Sequence, residues 1–137
     1  MKEDRFYAGG FLYNPKTRSV LLHLRDGNTK FNPNKWAFFG GLQEGDEKPT
    51  ETFIREVQEE LGISLQKDEV IPLRDYLNTV LQTYRYVFYA ESDLEISQMT
   101  LGEGAGFDWV PIDRIREYDL TELTEKDLVY FIETVLK

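Results

Sequence analysis

Cysteine is absent from all 137 residues, which excludes disulfides, thiol catalysis and thiolate-bound zinc. The absence fits a cytoplasmic protein, and that is the expected setting. Histidine occurs once, at His23, so neither a histidine-pair metal site nor a catalytic cluster of several histidines is available. Positive charge is scarce: 16 Lys and Arg stand against 25 Asp and Glu, for a formal net charge of -9. Such a balance disfavours nonspecific binding to DNA, RNA or anionic membrane, which depends on a basic surface. A phosphorylated substrate stays open, because bound cations reverse the local field. Long apolar runs are missing too. Nothing approaches membrane-spanning length, and the opening MKEDRF lacks the apolar core of a signal peptide. Internal repeats, low-complexity stretches and dividing linkers are also lacking, so residues 1–137 are expected to form a single domain.

Apolar and aromatic residues are present in quantity. A hydrophobic fraction of 41% and an aromatic fraction of 14% predict a folded globule with a sizeable core. Phe6–Tyr13 and Ser19–Arg25 read as strands joined by a turn at Asn14-Pro15-Lys16. The polar segment 26–35 reads as a loop, and Trp36–Phe39 as a short strand ending at Gly40-Gly41. Pro49 suits a first helical position, and Thr50–Leu61 then runs as a helix that Gly62 stops. Glu69–Leu77, Leu81–Ala90 and Phe107–Val110 read as further strands, with an irregular loop over 91–106. Thr124–Leu136 predicts a terminal helix capped by Thr124, burying Leu128, Phe131, Ile132 and Val135. Strands interleaved with two helices imply an α/β fold with a mixed sheet covered on both faces.

The most informative stretch is an array from Gly41 to Ile63, G-x5-E-x7-R-E-V-x-E-E-x-G-I. On a helix turning about 100° per residue, with Glu56 at zero, Glu60 falls near +40° and Glu59 near -60°. Arg55 falls beside Glu59, while Phe53, Ile54, Val57 and Leu61 fill the neighbouring arc that must face the core. Three carboxylates therefore border a buried face. Glu56 and Glu60 form an i,i+4 like-charge pair, costing roughly 0.2–0.5 kcal/mol even in water and more where screening is weak. A divalent cation reverses the sign of that interaction, and all-oxygen ligands suit Mg²⁺ or Mn²⁺. The bland alternative is a solvated helix face with an Arg55–Glu59 ion pair. The preceding glycines, which allow close backbone approach, and the spaced Glu47 favour the metal.

This array resembles the Nudix box, and every fixed position of that pattern matches. Trp36 before the double glycine and the late Trp109-Val110-Pro111 resemble the same family. The resemblance implies an α/β/α sandwich of Nudix type and hydrolysis of a nucleoside diphosphate linked to another moiety. It makes Glu56, Glu59 and Glu60 the metal-binding glutamates and Arg55 the residue that orients them. Glu47 becomes a supporting carboxylate, and Gly41 a loop residue whose carbonyl is a metal ligand. Two positions depart from the family habit: Phe39 stands where proline is common, and Gly45-Asp46 where a Pro-Gly pair is common.

The expected reaction is water attack on a pyrophosphate phosphorus, with metal ions neutralising the developing charge. A carboxylate accepts the water's proton. Glu56 and Glu60 are candidates, as is Glu103, since enzymes resembling this one often use a glutamate from a later loop. Arg25 is a candidate phosphate contact, with a surface ion pair as its alternative. His23 shares its face of the strand and reads as a packing residue. Phe38, Tyr84, Tyr86 and Phe88 read chiefly as core or cross-strand packing, with stacking on a base as the alternative; Trp36 and Trp109 read as packing. The expected partner is a small nucleotide, with no extended nucleic acid and no membrane, acting as a monomer or homodimer. A non-catalytic nucleotide-sensing domain is the rival reading; the intact glutamates favour an enzyme. Nucleoside triphosphates and nucleotide sugars both remain possible substrates.

Overall fold

The computed structural model describes residues 4–27, 34–100 and 106–137. Among the described residues, seven strands and two α-helices follow in the order β1 (Tyr7–Asn14), β2 (Ser19–Leu24), β3 (Trp36–Ala37), β4 (Phe39–Leu42), α1 (Pro49–Leu61), β5 (Ile71–Asn78), β6 (Thr83–Glu91), β7 (Gly106–Pro111) and α2 (Glu122–Thr134). They form the expected mixed sheet. β1 pairs parallel with β6, and the other strand pairs among the described residues are antiparallel.

β1 is the hub of this sheet. Its first half pairs with β4, through Tyr7↔Leu42 to Gly10↔Phe39, and its last residues pair with β2. The sheet therefore forks, with β2 carrying β3 and β7 on one arm and β4 closing the other.

Side chains alternate across the strands and supply two cores. Phe11 and Tyr13 join Val87, Tyr89, Leu128 and Phe131 beneath α2. Ala8 and Leu12 join Phe53, Val57, Leu61 and Phe88 beneath α1. Each helix thus covers one face, giving an α/β/α sandwich.

Several local expectations shift. The predicted strand at 36–39 breaks at Phe38, and the double glycine lies inside β4, where Gly40 pairs with Gly9. Thr121, not Thr124, caps α2, accepting from the Thr124 amide at 3.4 Å. Val135 lies beyond the helix and is exposed, whereas Thr124 and Asp127 are buried on its inner face. A 3-10 turn at Ile112–Glu117, buried through Ile112 and Ile115, was not anticipated. Among the described residues, no helix is long and apolar enough to cross a membrane.

Candidate active site

The double glycine of β4 presents its two residues to opposite sides. A Cβ placed on Gly40 would meet the Tyr7 hydroxyl at 2.6 Å and the Gly9 Cα at 2.5 Å, on the α2 side. A Cβ placed on Gly41 would meet all three carboxyl atoms of Glu56 at 2.9 Å, on the α1 side. The absence of side chains lets Tyr7 lie flat on one side and a carboxylate rest on the backbone on the other.

Beyond β4 the chain turns through Gly45, at a left-handed φ of 59°. The glycine of this loop thus serves the turn without the Pro-Gly pair common in the family. Glu47 closes the turn by accepting from the Glu44 amide at 2.9 Å and from the Thr52 hydroxyl at 2.9 Å. Pro49 opens α1, Glu51 accepts from the Lys48 amide, and Gly62 ends the helix at φ 70°.

Arg55 gathers the acids of this loop and helix. Its Nε donates to Glu47 Oε2 at 2.7 Å, and Nη2 donates to Glu47 Oε1 and to the Leu42 carbonyl, each at 3.2 Å. Its Nη1 lies 2.8 Å from Glu56 Oε2, 3.1 Å from Glu59 Oε2 and 3.2 Å from Glu44 Oε2. The pairing is therefore wider than Arg55–Glu59 alone. The hydrogen bond from Arg55, helped by the Glu44 amide and Thr52, holds the Glu47 carboxyl at about 2, and the same bond raises the Arg55 pKa. Glu56 and Glu59 meet at one cationic nitrogen. Glu60 lies one turn on from Glu56, buried. Among the described residues, no three acids already form a ready-made metal cage. Glu103 lies outside the described residues.

On the α2 side of β4, a cavity of about 520 Å³ opens in the fork of the sheet. Gly40, Gly41 and Leu42 form one wall, Arg25 and Phe38 another, and Thr121, Leu123 and Thr124 the third. Arg25 is among the residues that line the cavity. His23 is not: it is buried, stacked on Phe39 at 5.0 Å, and burial, followed by repulsion from Arg25, lowers its pKa to about 4. Phe88 and Phe38 are buried, Trp36 packs on Tyr118, and Trp109 donates to the Leu94 carbonyl at 3.0 Å. Tyr84 is exposed and bonded to Asp75.

One charged cluster escaped the sequence reading. Asp127, fully buried in α2, accepts from Arg74 (2.8 and 3.0 Å), Arg85 Nε (3.0 Å) and the Tyr76 hydroxyl (2.8 Å). Burial and the Asp127 carboxylate push the Tyr76 phenol up to about 12. Arg85 also lines the cavity, with its guanidinium 4.6 Å from the Tyr7 ring. Periodicity alone puts Arg85 on a buried face of its strand and Asp127 on the stripe of Thr124, Leu128 and Phe131, without showing that the two meet.

Comparison with known proteins agrees with this geometry. Residues 4–132 match the family model described as NUDIX domain. A mutT/nudix family protein from Listeria innocua superposes with a TM-score of 0.78 at 17% identity, over 99% of this chain and 96% of that one. A MutT/nudix family protein from Enterococcus faecalis gives 0.66 at 20% identity, over 80% of this chain and 44% of that one. A bifunctional NMN adenylyltransferase/ADP ribose pyrophosphatase from Francisella tularensis, complexed with AMP and Mn ion, gives 0.74 at 18% identity, over 97% and 42%. The chain spans less than half the length of the last two. No curated protein matches it. With the complete glutamate array on α1 and the family match over nearly its whole length, the chain belongs to the Nudix hydrolase family.

Proposed function

We propose that this chain is a divalent-metal-dependent pyrophosphohydrolase of a small nucleotide derivative, a nucleoside triphosphate or a nucleotide sugar. The convergence of Glu56 and Glu59 on one Arg55 nitrogen, beside a glycine backbone and next to a nucleoside-sized cavity, carries this reading.

The residues fit a hard cation. Every donor is oxygen, Glu56 rests on the side-chain-free Gly41, and Arg55 Nη1 occupies the place where charge compensation is needed. Glu56, Glu59, Glu60 and the Gly41 carbonyl would hold Mg²⁺ or Mn²⁺, as the family does. Such an ion supplies Lewis acidity toward phosphate oxygens and acidifies bound water.

The protein's own residues do the remaining work. Arg55 fixes the carboxylates and, through its bonds to Glu47 and the Leu42 carbonyl, fastens α1 to the β4 loop. Arg25 on the cavity wall offers a guanidinium to a phosphate or its sugar. A glutamate, drawn from Glu56, Glu60 and Glu103, takes the proton of the attacking water. The Francisella protein, of which this chain spans 42%, is complexed with AMP and Mn ion, and that supports a nucleotide and a divalent ion as the ligands proposed here.

Nucleoside triphosphates, nucleotide sugars and dinucleoside polyphosphates should be assayed with Mg²⁺ and with chelator, in the wild type and in Glu59→Gln and Glu60→Gln. Metal-dependent cleavage that falls by about a hundredfold or more in each variant is expected. Undiminished cleavage in chelator, or in the variants, sinks the reading.

A further inference from the structure

A buried arginine in a strand calls for a reason, and Asp127 supplies half of one. Its carboxylate carries one negative charge and is shared between Arg85 and Arg74, so the cluster retains one surplus positive charge. Arg85 is 8% exposed and Asp127 0%, while the Arg74 side chain, 28% exposed, keeps contact with solvent; charge as deep as that of Arg85 is costly unless it is fully bonded. Asp127 engages Arg85 Nε and Nη2. Nη1 has no hydrogen bond among the described residues. The group is also immobilised, with the Tyr7 ring 4.6 Å and the Phe38 ring 5.7 Å from its Cζ.

Arg85 lines the cavity beside β4. The lining combines apolar Phe38, Leu42, Leu81 and Leu123 with Asn78 and three threonines, a mixture that suits a flat heterocycle with polar edges. In such walls a hydrogen bond is strengthened, and a mismatched donor is penalised. A guanidinium has five N–H donors and no acceptor. An exocyclic amine facing it meets donor against donor, whereas a carbonyl oxygen completes the bond.

Resting on the proposed hydrolase reading, we propose that Arg85 is a specificity-determining residue, selecting a nucleobase that presents a carbonyl oxygen (guanine, uracil or thymine) over one that presents an amine at that edge (adenine or cytosine). Asp127 and Tyr7 act as positioning residues: they set the plane of the fork, and Asp127 takes the donors the base does not use. The phosphates then extend past Gly40 and Gly41 toward the acids of α1.

The test measures binding of GMP, UMP, AMP and CMP to the full chain by calorimetry, alongside kcat/KM for the four triphosphates with Mg²⁺. Wild type, Arg85→Lys and Arg85→Gln are compared, each with a thermal melt to confirm folding. A well-formed arginine–carbonyl pair discriminates bases by roughly tenfold to a hundredfold, so GMP and UMP are expected to bind at least about tenfold tighter than AMP and CMP. Arg85→Gln, able to donate or accept, should bring the four within about threefold, and Arg85→Lys should fall between. A wild type without this preference overturns the inference, as does a folded Arg85→Gln that keeps it. If the Gln variant does not fold, an unchanged ratio in Arg85→Lys overturns it equally. Hydrolysis without base preference removes this inference alone. Carbonyl-selective binding without hydrolysis of any triphosphate or nucleotide sugar contradicts the hydrolase reading instead.

Discussion

His23 lies in the sheet between Ala37 of β3 and Phe107 of β7, with its ring against Phe39. Burial, with Arg25 adding repulsion, sets its pKa at about 4, below the value of 6.5 expected in an unfolded chain. Between these values the unfolded chain binds a proton that the folded one refuses, so stability falls as pH drops from 6.5 toward 4. The expected loss is about 1–3 kcal/mol across that window. Urea unfolding at stepped pH should show this slope in the wild type and a shallower one in His23→Gln; equal slopes contradict it. At this scale the sequence was legible where residues follow a spaced pattern, as with Glu56, Glu59 and Arg55. Arg85 and Asp127 were not: each is an isolated charge whose meaning depends on a partner 42 residues away. No local period signals such a pairing.

Among the elements, β4 is the most exacting. Gly40→Ala places a Cβ against the Gly9 Cα and the Ala8 carbonyl, which are backbone and cannot yield. It should destabilise by about 1–3 kcal/mol in chemical unfolding. Gly41→Ala meets only the end of the Glu56 side chain. Its stability should change by less than about 1 kcal/mol, while displacement of the carboxylate lowers kcat/KM by about a hundredfold. A Gly41→Ala enzyme with full turnover would separate Glu56 from the site. Helix α1 could be read in advance because Pro49, the apolar arc and Gly62 mark its start, face and stop. The position of the glycines within a paired strand could not, since two consecutive glycines more often mark a turn. What places them in β4 is long-range: Gly9 opposite Gly40, and the Tyr7 ring across both. The α2 cap was missed by one turn because Thr121 and Thr124 are both good caps, and their hydroxyls bond each other at 2.7 Å.

In the whole molecule, two charge clusters occupy opposite sides of one sheet: acids around Arg55 on the α1 side, and arginines around Asp127 on the α2 side. Their compensation differs. Asp127→Ala leaves the buried Arg85 beside the partly exposed Arg74 with no carboxylate between them and should cost about 3–5 kcal/mol. On the proposed reading, the acidic cluster, which Arg55 gathers through Glu44, Glu47, Glu56 and Glu59, takes up a divalent cation. Thermal unfolding in chelator and in saturating Mn²⁺ tests that claim directly, free of any assumption about substrate. Binding at a hundredfold excess over Kd adds about 2.7 kcal/mol, and each kcal/mol shifts Tm by roughly 3–5 °C in a chain of this size. The wild type should therefore gain several degrees, while Glu60→Gln should melt at or above the wild type in chelator and gain little from the ion. A wild-type Tm indifferent to Mn²⁺, or a Glu60→Gln protein that gains as much, would contradict the account.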